Sequence, residues 1–562
     1  MSDMMKQIIP YTLLAVCLLS ACQTDDYEPT AETSGESGML SLTVSANDFA
    51  VTGGASTRAA DNGKTTTFEN GDRVGLIVLN TTGDIIADNL PYKFNGSNWN
   101  FDTGNGEGKQ PVFYDPSMNS YIVYYPYNAS VDETKSVEGL KASTVFAHQA
   151  DQSTENAYRQ SDLMVWSSSG KPMKQITAAL AHVRNSFSLD AKVQWTLATG
   201  DAVSYTPPTL EDVIIYDKEG KPFLPYRAED GSYRYILSDN YEGKVRWCYT
   251  YGEKTFGGEC TVSSQATGTR YAQVETANAG EYSLDKAAPG DFYCSKETNG
   301  TNTGYVVPQE AVSVLEQHRC IGIVFHVGRH ETDQSDYSKP LTEDGPTIPD
   351  GKVHGYVVAL TDVHDGSSDR LRWEYGPGNV YNKAIDASTS TSDWQGYSNS
   401  LKFHEFVNKN ENKEAGWEMK HFPAALACET YGNRTTDRDG NPADGKYDWQ
   451  KPLAAPKNTS GWFLPSCGQL RYLYQNRSVL SARMTDVNNS TPTDCGYKEY
   501  IKWFSTSLYY WSSTEYSYDT GSAWDVNFYD GYAYGIAIRT ARATCVLSSL
   551  SDLFTYLIYL SI

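Results

Sequence analysis

The chain has 562 residues, enough for three or four domains. Its formal net charge of -23 argues against a nucleic-acid partner and against electrostatic docking on anionic lipid. Aromatic residues make up 13% of it, with 41 tyrosines and 45 glycines, and few windows carry a helical period, so the composition suits β-sheets joined by many turns.

Lys6 precedes an apolar run from Ile8 to Ala21. The run is too short to span a bilayer and ends in small residues, as the apolar core of a secretory signal does. Leu19-Ser20-Ala21-Cys22 resembles a bacterial lipobox, in which the thiol of Cys22 takes a diacylglycerol and becomes the mature N-terminus. On this reading residues 1–21 are a lipoprotein signal peptide. Two or three acyl chains of the palmitate class then hold the protein on the cell outer membrane, at about 0.8 kcal/mol per buried methylene. The alternative is an ordinary signal peptide cut nearby, with Cys22 incidental. Gln23-Thr24-Asp25-Asp26 is similar to the surface-export signal of Bacteroidetes lipoproteins. Residues 22–38 carry acids but no Lys, no Arg and no large aliphatic side chain, so they cannot bury enough to order themselves and read as an acidic tether.

Leu40-Ser41-Leu42-Thr43-Val44 alternates strictly and predicts a half-buried strand. A second strand region runs from Thr65 to Leu79, with the turn Asn70-Gly71 inside it. Further strands are predicted at Gln110–Tyr114, Ser120–Tyr127 and Asp162–Val165. Strands and turns at this spacing suggest a β-sandwich.

Five stretches, Ser56-Thr57-Arg58-Ala59, T-T-F-E-N-G-D-R-V-G-L, Y-I-V-Y-Y-P-Y, S-D-L-M-V-W and L-A-H-V-R-N-S-F-S-L, occur in that order. In this the chain resembles the fimbrillin-like family of Bacteroidales pilins and fimbrial accessory proteins, over about residues 39–290. None of the stretches is a catalytic signature. The resemblance implies two consecutive transthyretin-like β-sandwiches, at 39–170 and 171–290, with the break near the polar turn Ser167–Pro172. Ala287-Ala288-Pro289-Gly290 reads as a domain linker.

Beyond it the texture changes. Cys320–Gly328 and His354–Leu360 read as buried strands, Trp417–Leu426 as a helix that Pro423 interrupts, and Gln469–Gln475 as a helix led in by Gly461-Trp462-Phe463-Leu464-Pro465-Ser466. Together with Tyr510-Trp511-Ser512-Ser513-Thr514-Glu515 and a Tyr- and Gly-rich end, this pattern resembles a bacterial C-terminal module linked in fold to C-type-lectin-like and formylglycine-generating-enzyme-like domains. The expected architecture is therefore mainly β, two sandwiches followed by an α+β lectin-like domain at 291–548. Residues 549–562 form an apolar tail that fits neither resemblance.

In polymerising pilins of the fimbrillin-like family a trypsin-like protease cuts after an arginine placed like Arg58, so Arg58-Ala59 is the expected cleavage point. The first strand would leave, and a strand of another fimbrial subunit would take its place by β-strand addition. The alternative is an ordinary loop arginine. Trp511, Glu515, Trp524, Asp525, Asn527 and Tyr534 are the expected ligand residues, because sugars need aromatic faces to stack on and carboxylate or amide groups for their hydroxyls. The alternative places Trp511 and Trp524 in the core. Asp437, Asp439, Asn441 and Asp444 make an oxygen-rich loop that could take Ca²⁺, although it lacks the EF-hand register and a solvated turn is the alternative. No cofactor is expected otherwise.

Eight cysteines remain once Cys17 and Cys22 are set aside, and they allow 105 pairings. Only Cys248 and Cys260 flank a turn closely enough to suggest a hairpin. No CxxC is present, which argues against structural zinc. Nothing in the spacing ties Cys467 to a histidine base, so no enzyme is expected. The sequence thus points to a surface-exposed fimbrial tip adhesin. Its partners would be other subunits, the outer membrane through lipid, and a glycan or protein on host or neighbouring cells. The alternative is a lipid-anchored glycan-binding protein that never polymerises.

Overall fold

A computed structural model describes residues 38–52, 67–104, 106–264, 267–364, 370–379, 383–437, 439–501, 504, 508–519, 522–536, 540–541, 544 and 546–549. Cys22, Arg58, Ala59 and most of the 549–562 tail lie outside them.

The strict alternation at Leu40, Leu42 and Val44 becomes β1 (Ser41–Ala46), with those side chains inward and Ser41, Thr43 and Ser45 in solvent. A short β2 (Ala50–Thr52) follows. β3 (Arg73–Asn80), β4 (Ile85–Phe94), β5 (Trp99–Phe101) and β6 (Met118–Tyr125) come next. After them come α1 (Val137–Ala142), α2 (Glu155–Ser161), β7 (Met164–Ser169) and β8 (Gln175–His182). The strands close in the order β1-β5-β4-β3-β6-β7-β8, the last pairing back to β1 in parallel. The first unit is thus the expected β unit, with its strands joined into one sheet that closes on itself as a barrel. β3 and β6 read as continuous apolar runs because both faces are covered. Leu76 and Val123 face the barrel interior, while Ile77 and Tyr124 pack outside it with Leu140 of α1 and with Phe146.

The expected break at 170 falls inside this barrel. Ser167–Pro172 is polar and turn-rich because it is the solvated β7–β8 hairpin, where Gly170 takes φ +102°. The passage to the second unit comes at Val183–Asn185. There Arg184, buried, donates to the carbonyls of Ser161 and Phe146 and pairs with Asp239 at 2.9 Å, joining the two units.

The second unit holds β9 (Ser186–Leu197), β10 (Ala202–Tyr205), β11 (Glu211–Tyr216), β12 (Pro222–Phe223), β13 (Tyr226–Arg227) and β14 (Tyr233–Ile236). β15 (Gly243–Tyr251), β16 (Lys254–Val262) and β17 (Thr269–Tyr282) complete it. One sheet runs β13-β14-β9-β17-β2, with β10 on β9, and the other β12-β11-β15-β16. Phe187, Ile215, Tyr235, Trp247 and Tyr249 fill the space between them. The Cys248–Cys260 hairpin is present. Its register sets Gly257 opposite Cys248 and Val245 opposite Cys260, and both thiols are free.

The C-terminal domain is α+β. β18 (Phe292–Thr298), β19 (Thr301–Val307), β20 (Arg319–Val327), β21 (Gly355–Ala359) and β22 (Leu371–Arg372) precede its helices. These are α3 (Gly396–Asn408), α4 (Asn410–Glu414), α5 (Pro423–Glu429), α6 (Cys467–Gln475) and α7 (Arg477–Ser490). β23 (Tyr509–Glu515), β24 (Ala523–Asn527), β25 (Ala533–Ile536), β26 (Thr540–Ala541) and β27 (Val546–Ser549) end the described chain. The main sheet runs β19-β18-β20-β21-β27, and β23-β24-β25 form a second sheet.

The Ala287–Gly290 stretch is no free linker. Leu197, Val203, Tyr205, Tyr282 and Leu284 of the second unit share one continuous core with the C-terminal domain. Asp291, buried beside them, accepts from Tyr282 Oη at 2.6 Å, from Ala288 N at 2.8 Å and from Gln309 N at 3.0 Å. Among the described residues no helix is long and apolar enough to cross a membrane.

Candidate functional site

The N-terminal segment 39–52 binds along both of the first two units. β1 lies parallel to β8 over six residues, from Ser41 opposite Gln175 to Ala46 opposite Leu180. On its other edge Leu42 pairs with Trp99. Tyr92 Oη donates to the Leu40 carbonyl at 3.1 Å, and Trp99 Nε1 to the Val44 carbonyl at 3.2 Å. Leu40, Leu42 and Val44 complete the barrel core. The chain then crosses to the second unit, where β2 adds a parallel edge strand to β17, Ala50 opposite Thr269.

Two backbone bonds fix the crossing: Asn47 N to the Leu180 carbonyl at 2.8 Å, and Ala50 N to the Gly268 carbonyl at 2.9 Å. Gly268 has φ +68°, and a Cβ there would lie 3.1 Å from the His182 carbonyl, so the close approach of the two units requires glycine. Between these bonds Phe49 turns inward against His182 and Arg270. Beside it opens a cleft of about 510 Å³, lined among others by Phe68, Tyr125, Tyr158, Arg159 and Arg270. The expected cleavage point Arg58-Ala59 lies outside the described residues, in the stretch between β2 and Thr67, and Thr67 lines this cleft.

The expected ligand residues do not gather on one surface. Trp511 is in the core and donates Nε1 to the Leu371 carbonyl at 2.8 Å. Glu515 is buried and accepts from Ile385 N at 2.7 Å and Ala387 N at 2.8 Å; desolvation raises its carboxyl above the ordinary range despite those bonds. Asp525 is fully buried, and Asn527 is buried with its side-chain oxygen taken by Tyr529 N at 2.9 Å. Glu515 and Asn527 thus tie their strands to neighbouring loops.

Trp524 is half-buried, its Nε1 3.3 Å from the Thr389 carbonyl and its ring edge-on to Tyr516. Tyr534 is exposed, its hydroxyl donating to Asp530 at 2.8 Å. The most exposed aromatics are instead Tyr529 and Tyr532, 74% and 69% accessible in the β24–β25 turn close to Tyr534, and Tyr518, 84% accessible beyond β23 at the other end of the sheet. The sequence signal for the first two was the run Tyr529-Asp530-Gly531-Tyr532-Ala533-Tyr534, where the turn pair Asp530-Gly531 separates tyrosines.

The oxygen-rich loop is a hydrogen-bonded turn. Asp437 accepts the backbone N–H groups of Asp439 and Asn441, both at 2.9 Å, and those bonds hold its carboxyl below the ordinary range. Asp444 stands apart at φ +46°. Among the described residues no group of three or more His, Cys, Asp or Glu side chains is placed to hold a metal ion. Cys467 opens α6 fully buried, and burial pushes its thiol up to about 12.

A family profile described as fimbrillin-like matches residues 57–394, more than half of the chain and well past the expected end of the resemblance at 290. A candidate fimbrium tip subunit of Bacteroides ovatus is 24% identical over 507 residues, which cover 82% of this chain and 84% of that protein. Among solved structures, a fimbrial protein from Bacteroides ovatus matches at 19% identity and a TM-score of 0.33, over 91% of this chain and 99% of its own. A candidate cell adhesion protein from Bacteroides uniformis matches at 16% identity and a TM-score of 0.30, over 43% of this chain and 93% of its own.

Proposed function

The chain belongs to the fimbrillin-like family, and from that premise we propose that it is the adhesive subunit at the tip of a surface fimbrium. The observation that carries the reading is the placement of β27. This last described strand is the fifth strand of the C-terminal sheet, antiparallel to β21, and Val546 exchanges backbone bonds with Phe463 at 2.8 and 3.1 Å. A strand so engaged is held within its own subunit, which supports a subunit that receives a strand and does not pass β27 on. Segment 39–52 is the strand to be replaced. Its removal leaves unpaired edges on β5, β8 and β17 and an apolar floor, which a donor strand pairs better than water does.

In this reading Cys22 carries the lipid during export and a protease cuts between Arg58 and Ala59. The tyrosine-rich face of the C-terminal domain, with Trp524 and Tyr534 from the expected set, meets a glycan or protein on host or neighbouring cells. The name of the Bacteroides ovatus relative accords with the tip position.

Cells carrying Arg58→Ala test it. Their fibres should lack this subunit at the ends under gold-labelled antibody. Unchanged end labelling would remove Arg58 as the cut site, whereas no end labelling even of wild-type fibres, with Cys22 still at the mature N-terminus, would favour the lipid-anchored glycan-binding protein that does not polymerise.

A further inference from the structure

One side chain of the crossing segment belongs to neither the barrel core nor the sheet. Phe49 is 5% exposed, although Asp48 and Ala50 beside it are exposed. Its ring stacks on His182 with centroids 3.5 Å apart and planes 14° from parallel. The guanidinium carbon of Arg270 lies over the ring, 5.0 Å from its centroid. His182 ends β8 in the first unit, and Arg270 is the second residue of β17 in the second unit. The slot therefore has one wall from each.

The His182 wall is held from behind. Asp162 Oδ1 sits 2.8 Å from His182 Nδ1 and fixes the imidazole plane, and Tyr158 lines the same cleft as Arg270. His182 and Arg270 are themselves buried. The flat imidazole packs face to face on the ring and the guanidinium seeks the ring's negative face, so a planar aromatic fits between the two walls. A leucine could fill the volume but would present no such face. The bonds at Asn47 and Ala50 bracket the position, so a strand slipped by one residue would bring the wrong side chain to the slot.

We propose that the slot between His182 and Arg270 is the specificity pocket of the strand groove. A strand from a second fimbrial subunit that replaces the N-terminal segment must bring an aromatic side chain to it, five residues beyond its last inward apolar residue, as Phe49 follows Val44. The proposal rests on the groove accepting a strand and adds which strands it accepts.

The test uses the full chain nicked after Arg58 by trypsin and, as probe, a fluorescent synthetic peptide of residues 38–52 with either Phe49, Phe49→Trp, Phe49→Leu or Phe49→Ala. The Phe and Trp peptides should bind within a few-fold of each other, while Leu binds about 10-fold and Ala about 100-fold more weakly. Arg270→Met in the receiving chain should narrow the gap between Phe and Leu. In the uncut chain, Phe49→Leu should lower the melting temperature more than Phe49→Trp. Equal binding of the Phe and Leu peptides overturns the pocket while leaving the groove intact. If the nicked chain exchanges no peptide at all, the groove reading fails and the pocket with it.

Discussion

Cutting the chain after Arg58, with every contact of segment 39–52 still in place, should convert a built-in strand into an exchangeable ligand. Leu40, Leu42, Val44 and Phe49 are buried, and at about 1.5–3 kcal/mol each they supply roughly 6–12 kcal/mol of attraction. Association of a free strand costs about 4–15 kcal/mol in lost translation and rotation, so the net hold is modest. A short covalent connection keeps the strand at roughly millimolar effective concentration. At about 1 µM nicked chain that advantage is gone, a loss near 4 kcal/mol. At about 2–4 °C per kcal/mol, the melting temperature of the first two units should fall by roughly 8–16 °C. Each tenfold dilution should lower it by about a further 3–6 °C, whereas the uncut chain should melt independently of concentration. Differential scanning calorimetry on trypsin-nicked protein, the cut verified by N-terminal sequencing, reads both effects. A nicked chain that melts at the uncut temperature at every concentration would refute the reasoning.

A fragment starting at residue 291 should bind the dye ANS and aggregate, because it exposes the face that Leu197, Tyr205 and Tyr282 cover, while a fragment starting at residue 183 should fold. Burial raises Asp291 from 3.8 to about 6. The folded state therefore holds that proton more tightly than the unfolded one, and the stability it contributes is full below about pH 4 and lost as pH rises through about 6. The unfolding free energy of wild type minus that of Asp291→Asn should accordingly fall between pH 4 and 6 and be flat outside that window, and a constant difference would assign the pH dependence to other groups. Trp511→Ala should cost about 3–5 kcal/mol of stability, whereas Tyr532→Ala should leave melting unchanged and reduce adhesion of cells or purified tips to the target surface; unchanged adhesion would remove the tyrosine face from the binding reading.

Local patterns carried the strands better than their partners. The alternation at Leu40–Val44 located β1 and its inward face, but not that β1 would lie parallel to β8, because period two reports a face and no neighbour. Gln110–Tyr114 looked like a strand and makes only an isolated bridge at Phe113, since Pro111 has no N–H to give a ladder. Pro423, expected to break a helix over 417–426, is instead the first residue of α5, where its missing N–H costs nothing. Ser466 and Gln469 cap α6 reciprocally, so the helix begins at Cys467, two residues before the expected Gln469. The ligand set was drawn from residue types alone, and burial decides it: Trp511 and Asp525 point inward on the same strands whose turns expose tyrosines. The Phe49 slot was illegible, for it joins side chains more than two hundred residues apart in sequence.

The parallel run of β1 along β8 also has a mechanical meaning. A strand held by six consecutive rungs and three inward side chains yields easily if peeled from one end, since the rungs then break singly. Pulled along its own axis it must shear, and all the rungs strain together. A strand seated in this groove and drawn lengthwise by a fibre under flow is loaded in the second way. The joint would then withstand a tug far better than its equilibrium affinity suggests, and release would depend on the direction of the pull more than on its size.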